Sequence, residues 1–231
     1  MAGQGELWWQ WRPLDVSVAV QPGGRPPAPA ALALVQAFIN THYDLVVEHG
    51  AELLATPRET GSWLARHRLL EAGIALDEED RQRLLALREG LRGLARANSD
   101  HAPSAKGSFD AGVASAEGSF QAGVASAEGS FESVNGALAG AAVELRFTPH
   151  GPRCIPSRPG VDGAAGVLAA ITAEAMLDGR WSRLKVCPGE HCGWAFYDHS
   201  RNQTGRWCSM SVCGGRAKAR AHYRRRRRDA R

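Results

Sequence analysis

Residues 187–192 read CPGEHC and residues 208–213 read CSMSVC, so two cysteine pairs with the same internal spacing are separated by 15 residues. Four of the five cysteines of the chain fall within these 27 positions. A structural zinc ion takes four thiolate or imidazole ligands at tetrahedral corners, and two short-spaced pairs joined by a loop supply them. We therefore predict one structural Zn²⁺ bound by Cys187, Cys192, Cys208 and Cys213.

The other polar residues around the cysteines bear on whether this site could be catalytic. His191 and His199 could each replace a cysteine as a ligand, although four cysteines already complete the shell. A catalytic zinc keeps an open position and a nearby carboxylate base, whereas four thiolates close the site. Asp198 is the only acidic residue between the pairs, and we interpret it as a cap or an arginine partner. Because no other catalytic constellation stands out, the chain is not expected to be an enzyme.

Charge is distributed unevenly along the 231 residues. Residues 180–231 carry 14 Lys and Arg residues against three acidic ones, whereas the preceding part carries 14 against 21. This pattern is typical of an acidic globular part followed by a basic segment that binds a polyanion. The predicted phosphate contacts are Arg201, Arg206, Arg216, Lys218, Arg220, Arg224, Arg225, Arg226, Arg227 and Arg228. Five consecutive arginines cannot all face one groove from a helix, so part of this set suits affinity rather than sequence readout.

The aromatic residues near the cysteines have two interpretations. Trp194, Phe196, Tyr197 and Trp207 could stack on nucleic-acid bases, or they could form the small core that a finger needs. The second role is the more common one in so short a segment, because a folded finger has few other apolar residues to bury.

The N-terminal residues and the length of the apolar runs predict a soluble, cytoplasmic protein that does not contact a membrane. The N-terminal residues MAGQGELWWQWRPLD have neither the basic nor the apolar region of a signal peptide, and no run of about 18 apolar residues occurs. In a reducing cytosol the paired cysteines are expected to bind metal rather than to form disulfides. Cys154 is left over and is interpreted as an inert thiol in a strand or core.

The part before the cysteines is predicted to be mainly helical. Apolar spacing favours a helix from Ala30 to about Tyr43. Thr56, followed by Pro and then Glu three residues on, predicts the start of a second helix. The acidic run that begins at Asp77 predicts the start of a third helix, because acidic groups are favourable near the positive end of the helix dipole. This helix is predicted to continue to Asn98.

Residues 104–136 contain three copies of an 11-residue repeat: SAKGSFDAGVA, SAEGSFQAGVA and SAEGSFESVNG. Phe and Val recur at spacings that would place one apolar stripe on a helix. The glycines oppose this, since each costs about 1 kcal/mol relative to alanine in a helix interior. We predict a partly helical or mobile insertion whose last copy leads into a short helix through Val134 and Leu138.

A β-hairpin and one more helix complete this part. Val143–Phe147 alternates like a strand, and Arg153–Pro156 is predicted to pair with it. A helix from about Val161 to Leu177, ending at Gly179, directs Val167, Leu168, Ile171, Ala175 and Met176 toward a core. The predicted fold is therefore mainly α with a small β-hairpin: a helical domain of residues 1–179, then a four-cysteine zinc finger with a basic C-terminal helix or tail in residues 180–231.

The segments WSRLKVC (181–187), CGWAFYD (192–198), SRN (200–202) and RWCSM (206–210) closely resemble the CGNR-type zinc finger. The signature Cys-Gly-Asn-Arg of that family corresponds here to Cys213, Gly214, Gly215 and Arg216. An asparagine at position 215 could cap the final helix, which glycine cannot do through a side chain. We expect zinc binding to be kept and the start of the helix to be looser.

The preceding part is similar, more loosely, to the ABATE domain that stands before this finger, in Leu32–Thr41, Thr56–Leu70 and the run from the hairpin to Trp181. The combined resemblance implies a bacterial transcription regulator that binds duplex DNA through the finger. It also implies an N-terminal domain that senses a signal or mediates self-association. The alternative is a non-regulatory interaction protein, in which zinc organises a surface that binds RNA or an acidic partner. Homo-oligomerisation is left open. Trp8, Trp9, Trp11, Asn40 and His42 could line a pocket, although ordinary core and surface roles are the simpler interpretation.

Overall fold

The computed structural model describes residues 21–45, 48–100, 128–149 and 151–229. The helices are α1 (Leu32–Ile39), α2 (Pro57–Arg66), α3 (Glu78–Asp100), α4 (128–137), α5 (Gly160–Leu177) and α6 (Gly215–Asp229). The strands are β1 (His42–Leu45), β2 (Glu48–Glu52), β3 (Val143–Thr148), β4 (Gly151–Pro156), β5 (Leu184–Val186) and β6 (Ala195–Tyr197), which pair in sequence as three antiparallel hairpins. The predicted fold class, mainly α with a small hairpin and a four-cysteine cluster, is confirmed.

The predicted starts of α2 and α3 are confirmed by side-chain caps. The Thr56 hydroxyl accepts a hydrogen bond from the Glu59 N–H at 3.2 Å and donates one to the Glu59 carboxylate at 2.9 Å. Asp77 accepts from the Asp80 N–H at 2.8 Å, and the Asp80 carboxylate accepts in return from the Asp77 N–H. These bonds satisfy amides that the first turn of a helix leaves without partners.

The first helix is shorter than its sequence predicts. It was expected to reach Tyr43, but it ends at Ile39, and His42–Leu45 instead forms the strand β1 paired with β2. The Arg92 guanidinium, from α3, donates hydrogen bonds of 2.6 and 2.7 Å to the carbonyls of Ile39 and His42. The carbonyl of the last helical residue, Ile39, is therefore satisfied by a distant side chain, which apolar spacing along α1 cannot reveal.

The last repeat copy forms a short helix, α4, as predicted, although α4 ends one residue before Leu138, and this helix packs on α3. Phe131, Val134 and Leu138 contact the main apolar core. A side chain at Gly90 would come within 2.7 Å of the Val134 methyl, and one at Gly93 would collide with the Ser130 side chain. Two glycines on α3 thus permit the close approach of α4. The first two copies, residues 104–125, lie outside the described residues.

The hairpin β3–β4 and the helix α5 also form as predicted, with Val143 opposite Pro156 and Thr148 opposite Gly151. Leu168 and Ala175 are fully buried, whereas Met176 is 41% exposed, so its predicted place in the core is wrong: it falls on the solvent side of the last turn. The length and composition of α5 would also suit a membrane span, but 56% of that stretch is buried within the fold, as in a core helix.

The strands that flank the cysteines share the core of the helical part. Leu184 and Val186 of β5 and Ala195 and Tyr197 of β6 are buried in the same apolar cluster as residues of α1, α3 and α5. The predicted boundary at residue 180 remains a prediction. Across it, the two parts are packed together rather than joined by a linker.

Candidate metal centre and basic helix

The four predicted cysteine ligands lie together in the structure. The Sγ atoms of Cys187, Cys192, Cys208 and Cys213 are all within 4.8 Å of one another, and all four residues are buried. The Cys208 sulfur lies 3.7 Å from those of Cys192 and Cys213, and four buried sulfurs this close are the donor set of a closed, tetrahedral zinc site with Zn–S bonds of about 2.3 Å. The residues fit one structural Zn²⁺, which leaves no open position for water.

The turn around the first pair is shaped for a sulfur-bound ion. The backbone bonds from Cys192 N–H to the Gly189 carbonyl, 3.0 Å, and from Cys187 N–H to the Trp194 carbonyl, 2.9 Å, fold the segment back on itself. A Cβ at Gly189 would stand 3.0 Å from the Cys213 sulfur and 3.4 Å from the Cys187 sulfur. Glycine at position 189 therefore leaves room for the sulfurs to converge, a role that the cysteine spacing alone does not predict.

The electrostatics of the four thiols favour a bound cation. Hydrogen bonds from Cys192 and Cys208, and from backbone N–H groups including that of Gly189, lower the pKa of Cys187 to about 2. The neighbouring Cys187 thiolate raises the pKa of Cys208, and burial raises that of Cys213. Without a metal, the cluster therefore stabilises one thiolate, at Cys187, and disfavours ionisation of Cys208 and Cys213. A bound divalent cation would favour ionisation of all four thiols, since zinc binds cysteine as thiolate.

The second pair is joined directly to the C-terminal helix. The Ser209 hydroxyl accepts the Val212 N–H at 3.3 Å and caps a π-helical turn, Met210–Gly214, which contains Cys213 and continues into α6. Gly215 has ordinary helical angles, φ −61° and ψ −46°. The expectation that residue 215 is a capping position is therefore wrong, because the helix is capped six residues earlier by Ser209.

The aromatic residues of the segment form its core. Trp194 and Phe196 are buried with the cysteines, while Trp207 and Tyr43 pack against them partly buried. The Trp194 indole N–H donates to the Gln21 side chain at 3.0 Å, and Tyr43 meets the Trp194 ring edge-on at 4.9 Å. These contacts turn the aromatic faces inward, so the core interpretation holds and base stacking by Trp194 and Phe196 does not.

The two histidines considered as ligands take no part in the cysteine cluster. His199 hydrogen-bonds the Pro27 carbonyl at 3.0 Å and packs edge-on against the Tyr197 ring. His191 stands in the turn before Cys192 with a positive φ of 56°. Within the described ranges, the metal-binding cluster consists of cysteines alone.

Asp198 caps a loop, as one interpretation held, but its charged partner is a lysine rather than an arginine. Its carboxylate is fully buried, lies 2.9 Å from Lys185 Nζ and accepts the N–H groups of Ser200 and Gly205 at 3.0 and 2.7 Å. Burial would raise the pKa of Asp198, but the hydrogen bonds from Ser200, Lys185 and Gly205 outweigh burial and lower it to about 2. The pair therefore holds the loop of residues 198–205 in place.

The predicted phosphate-binding residues lie on the surface of one loop and one helix. Arg201 and Arg206 are exposed between the cysteine pairs, and Arg206 stacks over the Trp207 ring at 5.2 Å. The remaining eight lie on α6, where Arg216 is partly buried and the others are exposed. Arg220 forms an ion pair of 3.2 Å with Glu190 in the first cysteine turn.

At about 100° per residue, α6 divides its cations into two groups. Residues 216, 220, 224, 227 and 228 fall within about 120° of the helix surface, and we call this group the arginine stripe. Lys218, Arg225 and Arg226 point elsewhere. The geometry agrees with the expectation that the consecutive arginines cannot all face one way.

Two family profiles match the chain. The profile of the ABATE family, described as "putative stress-induced transcription regulator", matches residues 32–179, which is more than half of the chain. The chain belongs to the ABATE family. The profile of the CGNR zinc finger matches residues 183–226 and covers all four cysteines, so both suspected resemblances are confirmed. No curated protein matches the chain.

The ABATE helices hold the finger through buried polar side chains. Gln36 of α1 and Asn40, the residue that follows the helix, both donate to the Ala195 carbonyl of β6, at 3.1 and 2.9 Å, and Asn40 also accepts the Ala195 N–H at 2.7 Å. Asn40 was a candidate pocket residue, and it is a structural one. One feature of the sequence does indicate this role: Gln36 is the single polar residue of α1, and Asn40 follows it by four positions, directly after the helix.

The helix α3 and the N-terminal segment add further bonds to the finger backbone. Arg92 donates to the Gly193 carbonyl at 2.6 Å, and Asn98 donates to the carbonyls of Trp181 and Leu184 at 2.8 and 2.9 Å. Arg25 donates to the carbonyls of Tyr197, Trp207 and Cys208 and lies over the Phe196 ring at 4.9 Å. Arg25 is partly buried and Arg92 is buried, and the sequence around them predicts neither role.

Proposed function

We propose that this ABATE protein is a zinc-dependent DNA-binding regulator of transcription, in which α6 contacts the phosphate backbone of duplex DNA. The observation that carries the proposal is the join between metal site and helix. Cys213 lies in the turn that continues into α6, so zinc binding would fix the base and direction of the basic helix. A helix held at one end presents its cations at lower entropic cost than a free tail does.

The charge of α6 matches a nucleic acid backbone. The helix has 15 residues and so is about 22 Å long, with eight Lys and Arg residues along it. Each phosphate neutralised releases condensed counterions, which gives affinity without sequence readout. Arg201 and Arg206 of the adjacent loop add two more cations on the finger itself.

The ABATE helices would serve as the regulatory part of the molecule. The bonds from Asn40, Arg92 and Arg25 tie the finger backbone to α1, α3 and the N-terminal segment. A signal or a partner that displaced these helices would disturb the finger, because the two parts share buried polar groups that must stay paired. We place the protein in the cytoplasm with DNA, and we do not propose a catalytic activity.

A non-regulatory protein that binds RNA or acidic partners remains the second candidate. The observation that favours it is that Lys218, Arg225 and Arg226 lie off the arginine stripe, so α6 is basic on most of its circumference. Such a helix can meet any polyanion, and specificity for duplex DNA would have to come from elsewhere.

The test compares nucleic acids at several salt concentrations. Zinc-loaded full-length protein is titrated with duplex DNA, double-stranded RNA and single-stranded RNA of one length, and genomic fragments bound by the intact protein are then sequenced. We expect tighter binding to duplex DNA, a linear fall of log affinity with log salt, and enrichment of particular sites. Equal weak binding to every polyanion without enriched sites would overturn the regulator proposal in favour of the second candidate.

A further inference from the structure

The hairpin β3–β4 exposes an apolar strand that the core does not use. Val143, Leu145 and Phe147 alternate along one face of β3 and are 42%, 61% and 83% exposed. At the base of the hairpin this face rests on α5, where the Val143 methyl lies 3.8 Å from the position that a Cβ on Gly166 would occupy. Toward the tip the face has no cover among the described residues. Single exposed apolar residues are ordinary, but three in register on one strand indicate a contact surface.

The backbone of β3 is also open along one edge. The bond from Ser157 N–H to the Ala142 carbonyl, 2.9 Å, extends the β3–β4 ladder and fixes which residues of β3 bond to β4. Bonded pairs alternate in an antiparallel ladder, so residues 142, 144 and 146 face β4. The N–H and C=O groups of Val143, Leu145 and Phe147 therefore point away from it, and no described strand pairs with that edge.

The opposite edge of the hairpin is poorly suited to pairing. By the same alternation, the groups of β4 that point outward belong to residues 152, 154 and 156. Residues 152 and 156 are prolines, which have no N–H to donate. Proline is a common means of blocking an edge strand, and β3 has none.

The sequence of β3 is complementary to itself when two copies run antiparallel. With Leu145 opposite the partner's Leu145, Val143 stands opposite the partner's Phe147 on the apolar face. On the other face, Glu144 stands opposite the partner's Arg146 and Arg146 opposite the partner's Glu144. Within one chain these two side chains already form an exposed ion pair of 3.1 Å. Between residues 143 and 147, every cross-strand pair in this register is either apolar or of opposite charge.

From this self-complementarity we propose that β3 is a homodimerisation edge, at which the β3 strands of two copies pair antiparallel about a two-fold axis into a four-stranded sheet. An isologous contact of this kind closes after two subunits, so it gives a dimer and not a fibre. The two copies bury the exposed Leu145 and Phe147 side chains together and satisfy the outward backbone groups. The proposal does not depend on nucleic-acid binding.

Charge reversal at the two polar positions tests the register. Full-length zinc-loaded protein is studied by sedimentation over a range of concentrations. The variants E144R and R146E each place like charges opposite each other twice, so each alone should dimerise about tenfold more weakly than the natural chain. A mixture of the two variants should form a heterodimer, and the double variant E144R/R146E should dimerise by itself. Dimerisation of the mixture would show that each single variant is folded and that its weaker self-association comes from the like charges.

Other outcomes overturn the proposal. A natural chain that is monomeric throughout, or single variants that dimerise as well as the natural chain, would show that β3 does not pair in this way. A variant lacking residues 104–125 addresses a competing occupant, the first two repeat copies. If the natural chain is monomeric and that deletion produces a dimer, the repeats cover the β3 edge and the homodimer proposal fails for the intact protein.

Discussion

Asn40 and Ala195 form a two-way hydrogen-bonded pair across the junction between helix α1 and strand β6. The Ala195 N–H donates to the Asn40 side-chain oxygen at 2.7 Å, and the Asn40 amide donates to the Ala195 carbonyl at 2.9 Å. Both residues are buried. One asparagine side chain thus takes the place of a neighbouring strand for β6 and ties the ABATE helices to the finger.

Replacing Asn40 by alanine should leave the buried Ala195 N–H without a partner and leave the Ala195 carbonyl with only the bond from Gln36. We expect N40A to lower the free energy of unfolding by about 3 kcal/mol, because an unsatisfied buried donor or acceptor costs its full desolvation. Urea unfolding of the zinc-loaded protein measures the change. The control is N202A, which alters an exposed asparagine and should stay within about 0.5 kcal/mol of the natural chain. Equal stability of N40A and N202A would contradict the role assigned to Asn40.

The buried pair of Lys185 and Asp198 predicts a defined pH dependence. The pKa of Asp198 is lowered in the fold to about 2 from an ordinary value of 3.8, so its charged form stabilises the protein above pH 4. That contribution is lost as pH falls from about 4 to about 2. The variant D198N leaves Lys185 without its counter-charge and should be about 3 kcal/mol less stable at neutral pH.

The measurement for D198N is the difference in unfolding free energy from the natural chain as a function of pH. Both proteins keep the four cysteines, so acid release of zinc affects them alike and largely cancels. The difference should be constant above pH 4 and should shrink below it. E132Q, at an exposed helix position, is the control and should show a small difference at every pH. A D198N difference that does not change with pH would count against the assignment.

Zinc should stabilise the whole chain and not only the finger. Strands β5 and β6 place Leu184, Val186 and Ala195 in the main core, so loss of the metal should loosen that core as well. Structural zinc contributes about 10–16 kcal/mol of apparent binding free energy in small finger peptides. We expect one Zn²⁺ per chain by elemental analysis, and a large fall in Tm when a chelator removes it.

The fifth cysteine supplies a matched control for this prediction. C208S removes a ligand and should lose the metal and much of the thermal stability. C154S alters a half-buried thiol on β4, outside the cluster, and should retain one zinc and nearly the natural Tm. Cobalt-substituted protein gives an independent reading, because the thiolate-to-cobalt absorption should be lost only in C208S. Full zinc content in C208S would refute the assigned ligand set.

The features that could be predicted from the sequence are those determined by residues close together along the chain. The cysteine spacing, the Thr56 and Asp77 caps and the β3–β4 hairpin each depend on groups a few positions apart. Their geometry is therefore set largely by the local chain. The family resemblance predicted the finger as a whole, and the match of the CGNR zinc finger family to residues 183–226 confirms it.

The features that sequence missed depend on distant partners. The end of α1 is set by Arg92, which lies 53 positions after Ile39. Arg25 reaches the Trp207 carbonyl across 182 positions. Most arginines in proteins are exposed at the surface, so the sequence alone could not show that these two residues bind the backbone of distant segments. The same holds for Ser209, whose capping role depends on the π-helical turn around Cys213.

The place of residue 215 inside a helix predicts that helix propensity, and not capping, decides the effect of substitutions there. Gly215 lies in the first turn of α6, within a helix capped by Ser209, and an added Cβ would meet only the Met210 carbonyl at 3.5 Å. G215A should raise the free energy of unfolding by about 0.5–1 kcal/mol, because alanine loses less backbone entropy on folding than glycine does. G215N should raise it less, since asparagine has a lower helix propensity than alanine. Thermal unfolding of the zinc-loaded variants measures both. G189A is the contrast and should weaken zinc binding, because its Cβ would crowd the Cys213 sulfur.

The two faces of α6 should contribute unequally if the helix lies along a DNA backbone. R224Q/R227Q removes two charges from the arginine stripe, while R225Q/R226Q removes two charges that point elsewhere, so the variants are matched in net charge and in position along the chain. A bound helix brings only one face close to phosphates. The stripe variant should therefore lose more affinity, and its salt slope should fall by about 0.9 for each phosphate that the helix no longer neutralises.

The control variant should keep most of the affinity and nearly the full slope, because charges on the far face interact with the backbone only through screened solvent. Titration of one DNA duplex at several salt concentrations gives both quantities. Far-UV circular dichroism checks that the helix survives in each protein. Equal losses in the two variants would mean that α6 acts as an unoriented cationic segment, and a larger loss in R225Q/R226Q would place the opposite face on the DNA.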